Sequence, residues 1–197
     1  MMKYFLLSTT GDLNDRDLVV ISDPPKGIGL RRYMMAKGKP ATPYYPAEPK
    51  VFLREEHPGI KLTSLLSTTV NYLIVSSDMR KVIEGLCTGV EMEYLPIHLY
   101  DHRERLYTRD YCIINPLGAL DCLEVEASGI EYGEEGSVID IQELILDAAK
   151  LEKAPPLFRI DKQPARLVVD ERFMQAVAEH GFTNVLATPL KVSGRGE

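Results

Sequence analysis

The chain carries one small unit twice. The first copy runs Ile74-Val75-Ser76-Ser77-Asp78, passes through an amphipathic stretch, and closes on Glu91-Met92-Glu93-Tyr94-Leu95-Pro96-Ile97. The second runs Leu167-Val168-Val169-Asp170-Glu171, an amphipathic stretch, then Asn184-Val185-Leu186-Ala187-Thr188-Pro189-Leu190. Each reads as a strand, a capped helix, a short Gly-containing turn and a strand ending in Pro. Val75 aligns with Val169 and Pro96 with Pro189, with a one-residue indel between them. The repeat organises a chain that otherwise shows no catalytic signature.

With 197 residues there is material for one good core, or for two small lobes sharing one. We expect a single domain over residues 1–197. Residues 1–60 form N-terminal strands plus a proline-rich arm. Residues 61–197 form a core with repeated units near 72–97 and 166–190. A net charge of −6 disfavours direct nucleic-acid binding, which needs a basic surface. Charge is unevenly placed: ten acids against one base over residues 121–152, and eight bases against four acids over residues 23–61. The three cysteines form no CxxC pair, and their odd number suggests reduced thiols. The apolar start is brief and broken by Lys3, and no run approaches the ~20 apolar residues of a membrane span. The expectation is a cytoplasmic protein without a membrane anchor.

Along the chain, Tyr4-Phe5-Leu6-Leu7 and Leu18-Val19-Val20-Ile21 read as a first pair of strands. Prolines and glycines from Asp23 to Pro58 rule out mostly regular structure, so this stretch is a long ordered wrap or a partly mobile arm. Residues 62–67 read as a strand or a single helical turn. Serine at 76 or 77 and Asp170 are helix caps. Residues 139–153 read as a third helix, with Ile141, Leu144, Ile145, Ala148 and Leu151 on one face. The last strand is placed at Val185-Leu186-Ala187, followed by a frayed tail. Many strands and few helices point to an α+β fold, mostly antiparallel, with about three helices.

Candidate chemistry is sparse. His98 and His102 flank Asp101 at a spacing that on a helix places two imidazoles on one metal, but the local sequence reads as strand end and loop. The Gly27-Ile28-Gly29 turn beside Lys26, Arg31 and Arg32 lacks the spacing of a phosphate-binding loop. No catalytic, cofactor or metal set is therefore expected. The acidic segment Glu131-Tyr132-Gly133-Glu134-Glu135-Gly136 reads either as a solvated loop or as a contact for a basic partner, with Tyr132 as an amphipathic anchor. Tyr44 and Tyr45 in the proline-rich arm permit the same reading.

The two-copy unit and its connection resemble a bacterial polymorphic-toxin immunity family, the immunity protein eleven type. The matching features begin with residues 72–77 leading into a helix and residues 90–96. They continue with Tyr111-Cys112-Ile113-Ile114-Asn115 and Leu120-Asp121-Cys122. They finish with Leu157-Phe158-Arg159-Ile160, Leu167-Val168-Val169-Asp170-Glu171-Arg172 and Thr188-Pro189. The resemblance covers roughly residues 60 to 190. It implies a non-enzymatic antidote that binds a cognate toxin and blocks it. The chain's negative charge suits a basic toxin such as a nuclease. The alternatives are an enzyme with a site near His98, Asp101 and His102, or a structural or adaptor protein.

Overall fold

The computed structural model describes residues 2–194; of the frayed tail expected over residues 193–197, Ser193 instead ends a strand, and residues 195–197 lie outside the described residues. The chain opens with β1 (Tyr4–Leu7), β2 (Val20–Ile21), β3 (Lys50–Phe52) and β4 (Leu65–Thr68). The first repeat copy follows as β5 (Leu73–Ser76), α1 (Ser77–Leu86) and β6 (Met92–Tyr100), and then β7 (Leu106–Pro116). Next come β8 (Ile130–Tyr132), β9 (Val138–Ile141), β10 (Ile145–Asp147) and β11 (Leu157–Ile160). The second copy is β12 (Gln163–Asp170), α2 (Glu171–His180) and β13 (Ala187–Pro189), before β14 (Lys191–Ser193). The fold is α+β, and most strand pairings are antiparallel.

The repeat survives in three dimensions, in register. The larger sheet has the order β2-β4-β5-β7-β6-β3, and the smaller has β11-β12-β1-β13. In each copy the two strands of the unit are not neighbours. An antiparallel strand from elsewhere lies between them, β7 in the first copy and β1 in the second. One cross-strand row reads Leu65, Val75, Cys112, Pro96. The matching row reads Leu157, Val169, Phe5, Pro189. The two valines and the two prolines aligned in sequence therefore occupy the same places in the two sheets.

The helix caps coincide as well. Ser76 accepts a bond from the Met79 amide, and Asp170 accepts one from the Phe173 amide at 3.1 Å. Each satisfies a backbone donor that the first helical turn leaves free. Gly181 then ends α2 in the left-handed region, at φ 64°, where a side chain is costly.

Three apolar clusters organise the layers. The central one joins the inner faces of both sheets to both helices, through Leu73, Val75, Met79 and Ile83 on one side and Leu167, Val169 and Phe173 on the other. Alternate residues point outward. Ile74 and Ile113 meet the proline-rich arm through Ile28, Met35, Ala41 and Val51. Val168 and Phe158 meet Cys122, Leu123, Leu146 and Leu151. Strands β5 and β12 are thus covered on both faces, which explains their continuous apolar runs. The arm is an ordered wrap. It contains 3-10 helices at Gly29–Ala36 and Thr42–Tyr44 as well as β3.

Several expectations are corrected. The first two strands do not pair: β1 lies between β12 and β13, whereas β2 runs parallel to β4. Residues 139–153 are not a helix but β9, β10 and turns. Ile141 and Ile145, four apart, fit a helical face as well as a strand face, whereas Ile139 two residues before Ile141 fits only the strand, and β-branching favours the strand. Besides α1 and α2, the longest helical element of the described residues is the eight-residue 3-10 helix at Gly29–Ala36. The last strand of the second copy begins two residues later, at Ala187.

One charged group sits at the junction of all these parts. Arg159 of β11 is only 1% exposed. Its guanidinium donates to the carbonyls of Met35 (2.9 Å), Ala36 (2.9 Å), Pro116 (3.1 Å) and Pro164 (2.8 Å), and to Asn115 Oδ1 (3.3 Å). These acceptors belong to the arm, to the end of β7 and to β12. Burial pushes the guanidinium down to about 10, so it stays charged at neutral pH. Asn115 in turn donates to the Lys39 carbonyl and to Glu93. Glu93 accepts from the Ala41 and Thr42 amides. Gly38 lies against this cluster at φ +65°, and a Cβ there would stand 2.7 Å from Arg159 Cδ and 2.6 Å from the Gly118 carbonyl.

Arg159→Ala should cost about 3–5 kcal/mol, because it strands several buried carbonyls at once. Urea unfolding checks the loss, and limited proteolysis should show residues 29–42 cut before the rest. Arg159→Lys should recover little, since a point charge cannot span these acceptors. Glu93 tests the same junction by pH. Burial raises its carboxyl, but the bonds from Thr42, Ala41 and Asn115 outweigh burial and hold it below its ordinary value of 4.5. A depressed folded-state value gives stability that is complete above the ordinary range and lost as pH falls through the folded value. Glu93→Gln should therefore weaken the fold at pH 7 and flatten its stability profile below about pH 5.

Candidate functional site

An acidic hairpin stands out from the smaller sheet's outer face. Its base is apolar: Ile130 and Ile141 are directly opposite and both pack against the cluster around Leu123 and Leu146. Above that base the ladder pairs Glu131 with Asp140, then shifts register so that Tyr132 faces Val138. The Gly133 amide donates to the Ser137 carbonyl at 2.8 Å and closes the loop. Glu134 and Glu135 form its tip, within a short 3-10 turn.

This arrangement is poor for local stability. Like charges directly opposite on a ladder repel. Glu135 holds φ 67°, a region that costs a residue with a side chain about 1 kcal/mol or more. Among the described residues, Glu131, Glu134, Glu135 and Asp140 form no ion pair with a base. The neighbouring bases are occupied elsewhere: Lys150 and Lys162 both bind Asp121, and Lys191 binds Glu143. Tyr132 is 47% exposed and Ile139 is 69% exposed on the same hairpin. Unpaired carboxylates on the same hairpin as an exposed amphipathic ring and an exposed aliphatic side chain have the chemistry of a surface for a basic partner. The expected helix over residues 139–153 would take in Ile139 and Asp140. The strand period of Val138-Ile139-Asp140-Ile141 is the signal that identifies them as part of the hairpin.

The two arm tyrosines occupy a different layer. Tyr44 is exposed, with the Arg31 guanidinium 4.1 Å from its ring centroid. Tyr45 is half-buried against the larger sheet, donates to the Pro96 carbonyl at 2.7 Å, and has its hydroxyl pushed up by burial. The arm covers the outer face of the larger sheet and the hairpin sits on that of the smaller. The structure does not bring Tyr44 and Tyr45 to the acidic residues.

The three residues around the β6–β7 turn are engaged separately. His98 Nδ1 is buried without a hydrogen bond, 3.5 Å from Glu48. Asp101 accepts from the Arg103 and Arg105 amides and from the Arg105 guanidinium, and the Arg105 contacts lead in drawing it down to about 2. His102 Nε2 meets the His57 carbonyl at 3.0 Å. Among the described residues, no three His, Cys, Asp or Glu side chains are arranged to hold a metal. Cys87, Cys112 and Cys122 are free and buried, and burial pushes their thiols to about 11, 11 and 12. Such thiols are poor nucleophiles at neutral pH. Among the described residues, no helix is long and apolar enough to cross a membrane.

A family model described as "Immunity protein family (Imm11)" matches residues 3–191, nearly the whole chain. No curated protein matches.

If repulsion across the hairpin is real, Glu131→Lys should relieve it by pairing with Asp140. Amide exchange at Gly133 should then slow by roughly twofold. Unchanged or faster exchange would show that the two carboxylates do not oppose each other in solution.

Proposed function

The chain belongs to the Imm11 immunity protein family, and we propose that it binds and neutralises a cognate toxin by protein–protein contact, with the acidic hairpin as a main contact. The observation that carries this reading is a group of carboxylates with no basic partner among the described residues, on a hairpin that also exposes Tyr132 and Ile139 and whose own stability they lower. An exposed loop kept merely for solubility has no need of opposed charges on a ladder or an exposed Ile139. A partner with a basic surface, such as a nuclease, would supply the missing counter-charges. Its positive field would speed encounter, and Tyr132 and Ile139 would bury apolar area at the centre of the contact. The action is that of an inhibitor rather than an enzyme, carried out in the cytoplasm where such a toxin acts.

The test is association kinetics with the toxic product of the adjacent gene, across a salt series. Glu131→Lys, Glu134→Lys and Glu135→Lys together should slow association by about tenfold or more at low salt and flatten its salt dependence. Tyr132→Ala should chiefly speed dissociation, at a cost of about 2 kcal/mol. Unaltered rates in the triple variant would remove the hairpin from the contact. A verified toxic neighbour that does not bind would remove the antidote reading itself.

A further inference from the structure

The arm presents chemistry of the opposite sign. An open groove of about 790 Å³ runs between the Gly27 turn, β3 and the β6–β7 turn. Its floor includes Phe52, stacked on Tyr100 with ring centroids 5.0 Å apart. The parallel β3–β6 register places these two rings side by side. Lys26 lies 5.5 Å from the Phe52 centroid, and Lys50 lies 5.7 Å from that of Tyr100. A ring contacts an ammonium on one side only and leaves its remaining donors free for another acceptor.

Two of the groove's three acids, Asp23 and Asp101, are already committed, and Glu104 is unpaired among the described residues. Asp23 pairs with Arg54, and Asp101 pairs with Arg105 and two turn amides. Among the described residues, Lys26, Arg32 and Lys50 pair with no carboxylate. On the rim, Leu30 is 94% exposed, the most exposed large apolar side chain of the molecule's described residues. Three unsatisfied cations beside a bare leucine match a ligand that alternates carboxylates with apolar groups.

We propose that this groove is a second docking surface, taking an acidic polypeptide segment that carries an apolar side chain. Charge complementarity selects the occupant. A phosphate backbone is uniformly negative and would meet the unpaired Glu104 in the groove wall, whereas a polypeptide can place a neutral residue there. The surface is independent of the toxin contact assigned to the hairpin, on a different layer of the fold. The protein can then hold a basic partner at one outer face and an acidic one at the other.

Fluorescence anisotropy with the full chain tests the proposal, using a labelled short peptide of alternating Glu and Ala around one Leu as probe. The expected result is saturable, salt-sensitive binding, weakened about tenfold or more by Lys26→Glu, Arg32→Glu and Lys50→Glu together. Leu30→Ser, at a site with almost no packing to lose, should weaken it by roughly threefold. The triple lysine variant of the hairpin should bind the peptide as the natural protein does. Equal binding by the groove variant with an unchanged unfolding midpoint would overturn the proposal. So would an equally charged oligothymidylate binding as tightly as the peptide, or low-salt self-association that blocks the peptide from binding.

Discussion

The structure hinges on a cation that, among the described residues, forms no ion pair. Arg159 is buried and surrounded by carbonyl oxygens from the arm, β7 and β12, so its charge is met by dipoles contributed by three separate segments. Taking a guanidinium out of water is expensive, and no single segment could compensate for it. Only the assembled junction supplies enough acceptors. Arg159 therefore couples the packing of the arm to the seating of the second sheet, and Asn115 and Glu93 extend the same network to the arm's backbone at Ala41 and Thr42. Gly38 is glycine because its backbone passes too close to this cluster, in a left-handed conformation, for any side chain.

Around that junction the chain builds the same sheet plan twice and covers each copy differently. The inner faces share one core with both helices. The outer faces diverge: a proline-rich wrap with a basic balance seals the larger sheet, and a run dominated by acids seals the smaller. Function, on this account, belongs to the coverings and not to the repeated scaffold, in keeping with the general separation of fold from site. The hairpin's opposed carboxylates are a place where side-chain placement is not explained by the stability of the fold.

Local features were legible in the sequence and distant ones were not. Val75-Ser76 and Val169-Asp170 announced strand ends and helix caps, because capping acts within a few residues. That β1 would enter between β12 and β13 was not legible, since pairing partners are chosen by contacts across most of the chain. Arg159 stands in the sequence as the charged residue of the segment Leu157-Phe158-Arg159-Ile160, and nothing nearby marks the carbonyls that receive it. Residues 139–153 misled because Ile141 and Ile145, four apart, satisfy two periods at once. The acidic segment was visible from composition alone. Its hairpin geometry, with Glu131 opposite Asp140, required the register.

The central claim is that the acidic hairpin is where the toxin sits. Hydrogen exchange of the protein alone and in complex with the toxic neighbour tests it without altering a residue. The account predicts that protection rises over residues 130–141 on binding. Protection confined to other segments, with the hairpin amides exchanging at the same rate in both states, would contradict it.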